Sequence, residues 1–136
     1  SDGRFKTHVQ DNVPGLEFIM KLRPVTFNWD IHTLDKFYGK NNESKHPNPR
    51  AMEKATQEKE KKVYAGFVAQ EVEKAAEECD FDFSGLIKPQ NDKSTYNLSY
   101  AEFVVPMVKA IQEQQKQLEE QQKLIENLRE EMARLK

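Results

Sequence analysis

One cysteine, five glycines and three histidines in 136 residues leave little material for several common kinds of site. Cys79 has no second cysteine with which to close an internal disulfide. His8, His32 and His46 form no i, i+4 pair and, with Cys79, no metal-ligand spacing, so neither a metal nor a cofactor is expected. There is no Gly-rich phosphate loop and no G-x-S-x-G elbow. No apolar run approaches the roughly 18 residues that a membrane span needs. No N-terminal apolar region marks a signal peptide, although a chain cut from a longer precursor would have lost one. A net charge of -2 supplies no general field for nucleic acid or an anionic membrane. Nucleic acid, membrane and a small-molecule substrate are therefore not expected as partners.

What is present is 37% hydrophobic and 32% charged, which suits one modest domain joined to something extended. VPGLEFIMKL sets Val13, Leu16, Ile19 and Met20 at near-helical spacing, with Pro14 in the first turn, until Arg23-Pro24 stops it. In VTFNWDI, Val25, Phe27 and Trp29 alternate with polar neighbours, the pattern of a half-buried strand. Residues 36–62 read as a polar surface insertion with a short exposed helix after Pro49. VYAGFVAQEVEKAAEECD begins as a strand and becomes a helix, with Phe67, Val68, Val72, Ala75, Ala76 and Cys79 on its apolar stripe. Cys79 reads there as a buried structural thiol. The run Glu71, Glu73, Glu77, Glu78, Asp80, Asp82 reads as a solvated acidic face. Two short strands, Leu86–Lys88 and Thr95–Leu98, are spaced for a hairpin around Asn91-Asp92.

The last segment carries a sustained repeat. Ser99 and Glu102 have the spacing of a capping box. Val104, Ile111, Leu118, Ile125 and Met132 then recur every seventh residue, each followed three positions later by Met107, Gln114, Gln121, Leu128 and Leu135. This a/d heptad predicts a coiled coil over residues 99–136, a rod of roughly 55 Å that needs helices from other chains. The seam does not choose between two strands and three, and Gln114 and Gln121 at successive d layers set register at a cost in stability. Pro106 should kink the helix or make it start afresh nearby. The expected fold is α+β. Residues 1–98 form a small globular part of short strands and helices, and residues 99–136 a long C-terminal helix.

The chain begins SDGRFK, and elimination leaves Ser1 and Lys6 as its one nucleophile–base pair at suggestive spacing, a spacing common by chance. Four blocks in order, SDGRFK, KLRPVTFNWD, YAGFVAQEVEKA and YNLSYAEFVVPMVKAIQEQ, resemble the C-terminal intramolecular chaperone domain of phage endosialidases and tail spikes. That family, peptidase S74, has a related domain in the animal myelin regulatory factor. The resemblance implies a homotrimer ending in a coiled coil, with Met107, Ile111, Gln114, Leu118, Gln121, Ile125, Leu128, Met132 and Leu135 at the trimer interface. It also implies autoproteolysis immediately before Ser1, with Ser1 as nucleophile and Lys6 as general base. Ser1 is then an end made by this cut. Asp2, Gly3 and Arg4 would support the motif. The upstream polypeptide of the same precursor would be both client and substrate, a tail fibre or spike made in the bacterial cytoplasm or a bacterial surface protein. The alternative is a trimerisation module that does not cleave.

The spacing sets a geometric condition. In an extended strand residues five apart lie roughly 16 Å from each other on opposite faces. In a helix they are about 140° apart around the axis. SDGRFK must therefore bend, with Gly3 as the residue to permit it, or a neighbouring chain must supply the lysine. Lysine accepts a proton only when neutral, so burial or a nearby cation is needed, and Arg4, Lys21 and Arg23 are the candidate cations.

Overall fold

Several of the elements that form are shorter than their sequence patterns. A computed structural model describes residues 1–40 and 47–136, so His46 lies outside the described residues. A 3-10 turn, Gly3–Phe5, is followed by α1 (Leu16–Ile19), β1 (Val25–Phe27), α2 (Ile31–Phe37), α3 (Pro49–Glu60) and β2 (Tyr64–Gly66). Then come α4 (Ala69–Glu78), β3 (Leu86–Ile87), β4 (Asn97–Leu98), a second 3-10 turn (Tyr100–Phe103) and α5 (Val104–Arg134). The fold is α+β with a long C-terminal helix, as the sequence predicts. Both strand pairs are antiparallel, Val25 opposite Gly66 and Phe27 opposite Tyr64 in one, Leu86 opposite Leu98 in the other.

Contacts divide the chain into two compact units. The first comprises Ser1–Lys21, Ala75–Gly85 and Ser99–Lys136, the second Leu22–Lys74 and Leu86–Leu98. In the first unit Phe18 is fully buried, with its ring 5.3 Å from Phe81, 5.2 Å from Phe83 and 6.5 Å from Phe103. Such pairs contribute about 0.5–1.5 kcal/mol each beyond the area they bury. Ala75, Ala76, Pro106 and Ala110 complete this core with small or rigid side chains that let backbones approach. Gly15 shows how closely: a Cβ there would stand 2.7 Å from Ala110 N and 2.9 Å from the Lys109 carbonyl carbon. α4 ends with Asp80 in the left-handed region (φ 48°), where Phe81 N–H donates to Ala76 O at 2.9 Å, a Schellman-type stop.

In the second unit the strand expected to run to Trp29 stops at Phe27. Asp30 becomes the N-cap of α2 instead, its carboxylate accepting from Thr33 N at 3.0 Å and from Thr33 Oγ1 at 2.6 Å. α2 is therefore absent from the sequence reading. α3 forms where the reading put a helix, capped by Asn48 with Pro49 in the first turn, and buries none of its residues. It is tied down all the same. Glu60 accepts from Ile31 N (2.9 Å), His32 N (3.1 Å) and His32 Nδ1 (2.8 Å), while His32 Nε2 reaches Glu53 at 3.1 Å. The acidic run of α4 is likewise not merely solvated, since Glu71 pairs with Arg23 and Glu73 with Lys88 and Tyr96. In the first unit Glu78 pairs with Lys21.

The start of α5 corrects one expectation and decides between two alternatives of another. Ser99 makes no side-chain cap, and Glu102 accepts instead from Ser84 Oγ at 2.9 Å, so the capping box does not form. Pro106 falls in the first turn of α5, where a backbone N–H would have no intrahelical acceptor, so the helix begins afresh rather than kinking.

Phe18→Ala should cost about 3–5 kcal/mol, read as a lower urea midpoint, and a loss below about 1 kcal/mol would show that the ring cluster is not the core of its unit. The two carboxylates on His32 raise its pKa from 6.5 to about 9, with the Glu60 hydrogen bond the larger cause. A raised folded-state pKa stabilises fully below the unfolded value, and that stabilisation is lost as pH rises towards about 9. Wild type should therefore lose thermal stability between about pH 6.5 and 9 more steeply than His32→Ala. Parallel curves would disprove the linkage.

Candidate functional site

The first six residues solve their geometric condition with one capped turn. Asp2 is extended (φ -70°, ψ 123°) and caps the 3-10 turn, its Oδ1 accepting from Arg4 N at 3.0 Å. Phe5 N and Lys6 N donate to Asp2 O and Gly3 O, each at 3.2 Å, and Lys6 returns to an extended backbone. The turn brings Lys6 round to Ser1: Lys6 Nζ donates to Ser1 Oγ at 2.8 Å within one chain. No neighbouring chain is needed to bring the two side chains together.

Asp2 and Arg4 turn out to be each other's partners. Arg4 Nε and Nη2 both bond the Asp2 carboxylate, the closest contact being 2.6 Å. That pairing holds the Asp2 carboxyl below the usual carboxylate range, the Arg4 side-chain bond being the first cause. Both groups are open to water, so the ion pair contributes little stability and acts mainly through the geometry it favours. Gly3 does not have the part expected of it. Its φ is outside the left-handed region and a Cβ would meet open space, so the bend owes nothing to glycine's freedom. The cap formed by Asp2 and Arg4 makes the bend.

Each of the three candidate cations is paired with a carboxylate. Arg4 is engaged by Asp2, Lys21 by Glu78 at 3.1 Å and Arg23 by Glu71 at 2.6 Å. Ser1 and Lys6 are exposed, and so are the apolar Phe5 and Val9, at 81% and 80%. His8, two residues past Lys6, is held in the left-handed region (φ 54°). Cys79 is half-buried, and burial pushes its thiol pKa up, which disfavours the thiolate. Among the described residues no three His, Cys, Asp or Glu are arranged to hold a metal ion, and no helix is long and apolar enough to cross a membrane.

The second set of candidate residues lies on α5. Met107, Ile111, Leu118, Ile125, Leu128, Met132 and Leu135 are all exposed, from 44% at Ile125 to 88% at Leu135. Gln114 and Gln121 are exposed with them. A different face of the same helix serves its own chain, because Pro106 and Ala110 are buried and Glu113 Oε1 accepts from Leu16 N at 3.0 Å. Lys109, on the adjoining face, reaches Asp11 at 3.5 Å. The sequence reading missed this second face. Its signal is the i, i+4, i+7 spacing of Pro106, Ala110 and Glu113, overshadowed by the longer heptad.

The family model Peptidase_S74, described as chaperone of endosialidase, matches residues 1–80, more than half of the chain. That stretch includes the Ser1–Lys6 turn and ends at Asp80, so the block YNLSYAEFVVPMVKAIQEQ lies outside it. No curated protein and no solved structure matches.

Proposed function

Because the chain belongs to the peptidase S74 family of endosialidase chaperones, we propose that it is an intramolecular chaperone that assembles an upstream fibre-type region as a trimer and releases itself by cutting before Ser1. The observation that carries the proposal is the 2.8 Å contact from Lys6 Nζ to Ser1 Oγ, within the distance proton transfer needs. The pair's position in the part of the chain matched by the family adds support. In this reading residues 1–98 are the chaperone and residues 99–136 the trimerisation helix.

The reaction balances with these two side chains and one water. Neutral Lys6 takes the proton from Ser1 Oγ as that oxygen attacks the carbonyl of the preceding residue. The tetrahedral intermediate expels the Ser1 nitrogen, which receives that proton, and an ester to Ser1 Oγ remains. Water then hydrolyses the ester, leaving a carboxylate on the upstream fragment and restoring the Ser1 hydroxyl. The turn fixes the relative position of base and nucleophile before the bond is reached, which is where proximity lowers a barrier.

Assembly enters through α5. Its exposed heptad seam favours association with copies of itself, three of them on the family's pattern, with Gln114 and Gln121 setting register. Ser1 and Lys6 are exposed in the single chain, and lysine becomes a competent base when water is excluded and its neutral form favoured. Cutting is therefore tied to assembly, so the chaperone departs after its client has trimerised.

In a precursor carrying the residues that precede Ser1, both Ser1→Ala and Lys6→Ala should leave the chain uncut on a denaturing gel. Hydroxylamine added during wild-type processing should intercept the ester and leave a hydroxamate on the upstream fragment. Cleavage by both variants would refute the pairing. A wild-type precursor that forms trimers yet stays whole would make this a trimerisation module without proteolysis. Leu118→Asp with Ile125→Asp should yield a monomer by sedimentation and abolish cutting, and rapid cutting by that monomer would end the assembly requirement.

A further inference from the structure

The first unit contains both the Ser1–Lys6 turn and α5, and two side-chain contacts tie the chain leaving that turn to the helix. Lys109 Nζ pairs with Asp11 Oδ1 at 3.5 Å, only five residues after Lys6. Four residues further on, the backbone at Gly15 closes against Lys109 and Ala110 so tightly that no side chain fits. Glu113 Oε1 then accepts the N–H of Leu16 at 3.0 Å, filling an open donor at the first turn of α1. No side-chain cap comes from Gly15 itself, so this carboxylate, 97 positions away in sequence, does the capping. α1 is four residues long, too short to persist without an external cap and packing.

We propose that Glu113 is a positioning residue for the Ser1–Lys6 pair: by capping α1 from the inner face of α5, it makes the geometry of the self-cleaving turn depend on the coiled-coil helix. The proposal rests on the autoproteolytic reading above and adds the path by which α5 reaches the site. Glu113 touches neither Ser1 nor Lys6. Its face of α5 is not the heptad seam, so the outer face is left for other chains while the inner face grips α1. When α5 is held in place by assembly, Glu113 and Lys109 hold Leu16 and Asp11, and the nine residues 7–15 that follow the turn are anchored at their far end. A loosened anchor misplaces base and nucleophile, and misplacement by about 1 Å costs on the order of 100-fold in rate.

The test uses the full precursor and follows cleavage alongside oligomeric mass. Glu113→Ala should remain trimeric and cut about 10–100-fold more slowly, whereas Glu113→Gln, whose amide oxygen accepts the same hydrogen bond, should recover most of the rate. Gly15→Ala should slow cutting by a similar factor, because its Cβ would press on the α5 backbone. Phe27→Leu, in β1 of the second unit and packed on Trp29 and Tyr64 rather than on α1, adjusted by temperature to the same melting margin as Glu113→Ala, should cut faster than it, since stability lost there leaves the cap intact. If Glu113→Ala is insoluble, Glu113→Asp, one methylene short, replaces it with the same expectation. Wild-type rate in trimeric Glu113→Ala, failure of Glu113→Gln to recover, or loss of the trimer in Glu113→Ala would each overturn the positioning role. Cleavage by Ser1→Ala run in parallel would instead overturn the underlying reading, so the two failures are told apart.

Discussion

The close approach of two backbones at Gly15 governs the first unit. A Cβ at this position would lie within 2.9 Å of α5 backbone atoms, and only its absence lets α1 seat against the helix. Once seated, α1 offers Leu16 N–H to Glu113 and turns Phe18 into a nest of three further aromatic rings. Neither effect would suffice alone. One turn of helix fixes several dihedrals for few hydrogen bonds and does not hold in isolation, so α1 exists because tertiary contacts hold it. The same nest fixes the other segments of the unit. Phe83 and Phe103 meet at 4.7 Å, and Ser99 N–H bonds Gly85 O at 2.8 Å, which brings the chain into α5.

α5 therefore serves two masters with different faces. Over its first turns the inner face is made of a proline, an alanine and a glutamate, residues that permit contact at backbone distance. The outer face carries Val104, Met107, Val108 and Ile111, all roughly half-exposed or more. Beyond Glu113 every residue of the helix is exposed, so helix propensity and side-chain pairs such as Gln115–Glu119 and Gln122–Glu126 are all that its own chain supplies there. A helix of 31 residues spans about 46 Å, and an apolar stripe carried along it gains little stability until another surface covers the stripe.

How much of this was legible depended on how far apart the interacting residues lie. The heptad, the hairpin of β3 and β4 and the helix after Pro49 are local patterns and could be read directly, whereas the pairing of β1 with β2 joins residues about 40 positions apart. The bend in SDGRFK could be read as a necessity but not as a solution. Gly3 attracted the assignment because glycine is the usual means of bending a chain, whereas the work is done by a carboxylate two residues from its guanidinium. Asp30 was taken for a strand's polar position because nothing before Thr33 marks it as a cap. Ser99 and Glu102 had the right spacing for a capping box, but Ser84, 18 residues upstream, claims the glutamate. The lock on His32 uses Glu53 and Glu60, 21 and 28 residues away, beyond any local pattern. The Glu113 contact spans 97 positions and was invisible for the same reason.

The candidate site then brings Ser1 and Lys6 together but leaves both open to water. Ser1 Oγ and Lys6 Nζ are at hydrogen-bond distance, yet both are exposed, and the bond between them has lysine donating. A lysine that donates to a serine hydroxyl orients it; a lysine that removes its proton has to be neutral first. In the single chain both side chains are open to water, and the guanidinium of Arg4 is paired with Asp2. Under the proposed function that shortfall is what makes timing possible. A site complete in both respects would cut as soon as the first turn folded, before three chains could meet. A site whose two side chains meet within one chain, but whose dryness and firm anchoring through α5 come with assembly, cuts only afterwards. The exposed Phe5 and Val9 on either side of Lys6 are the apolar surface that such covering would use.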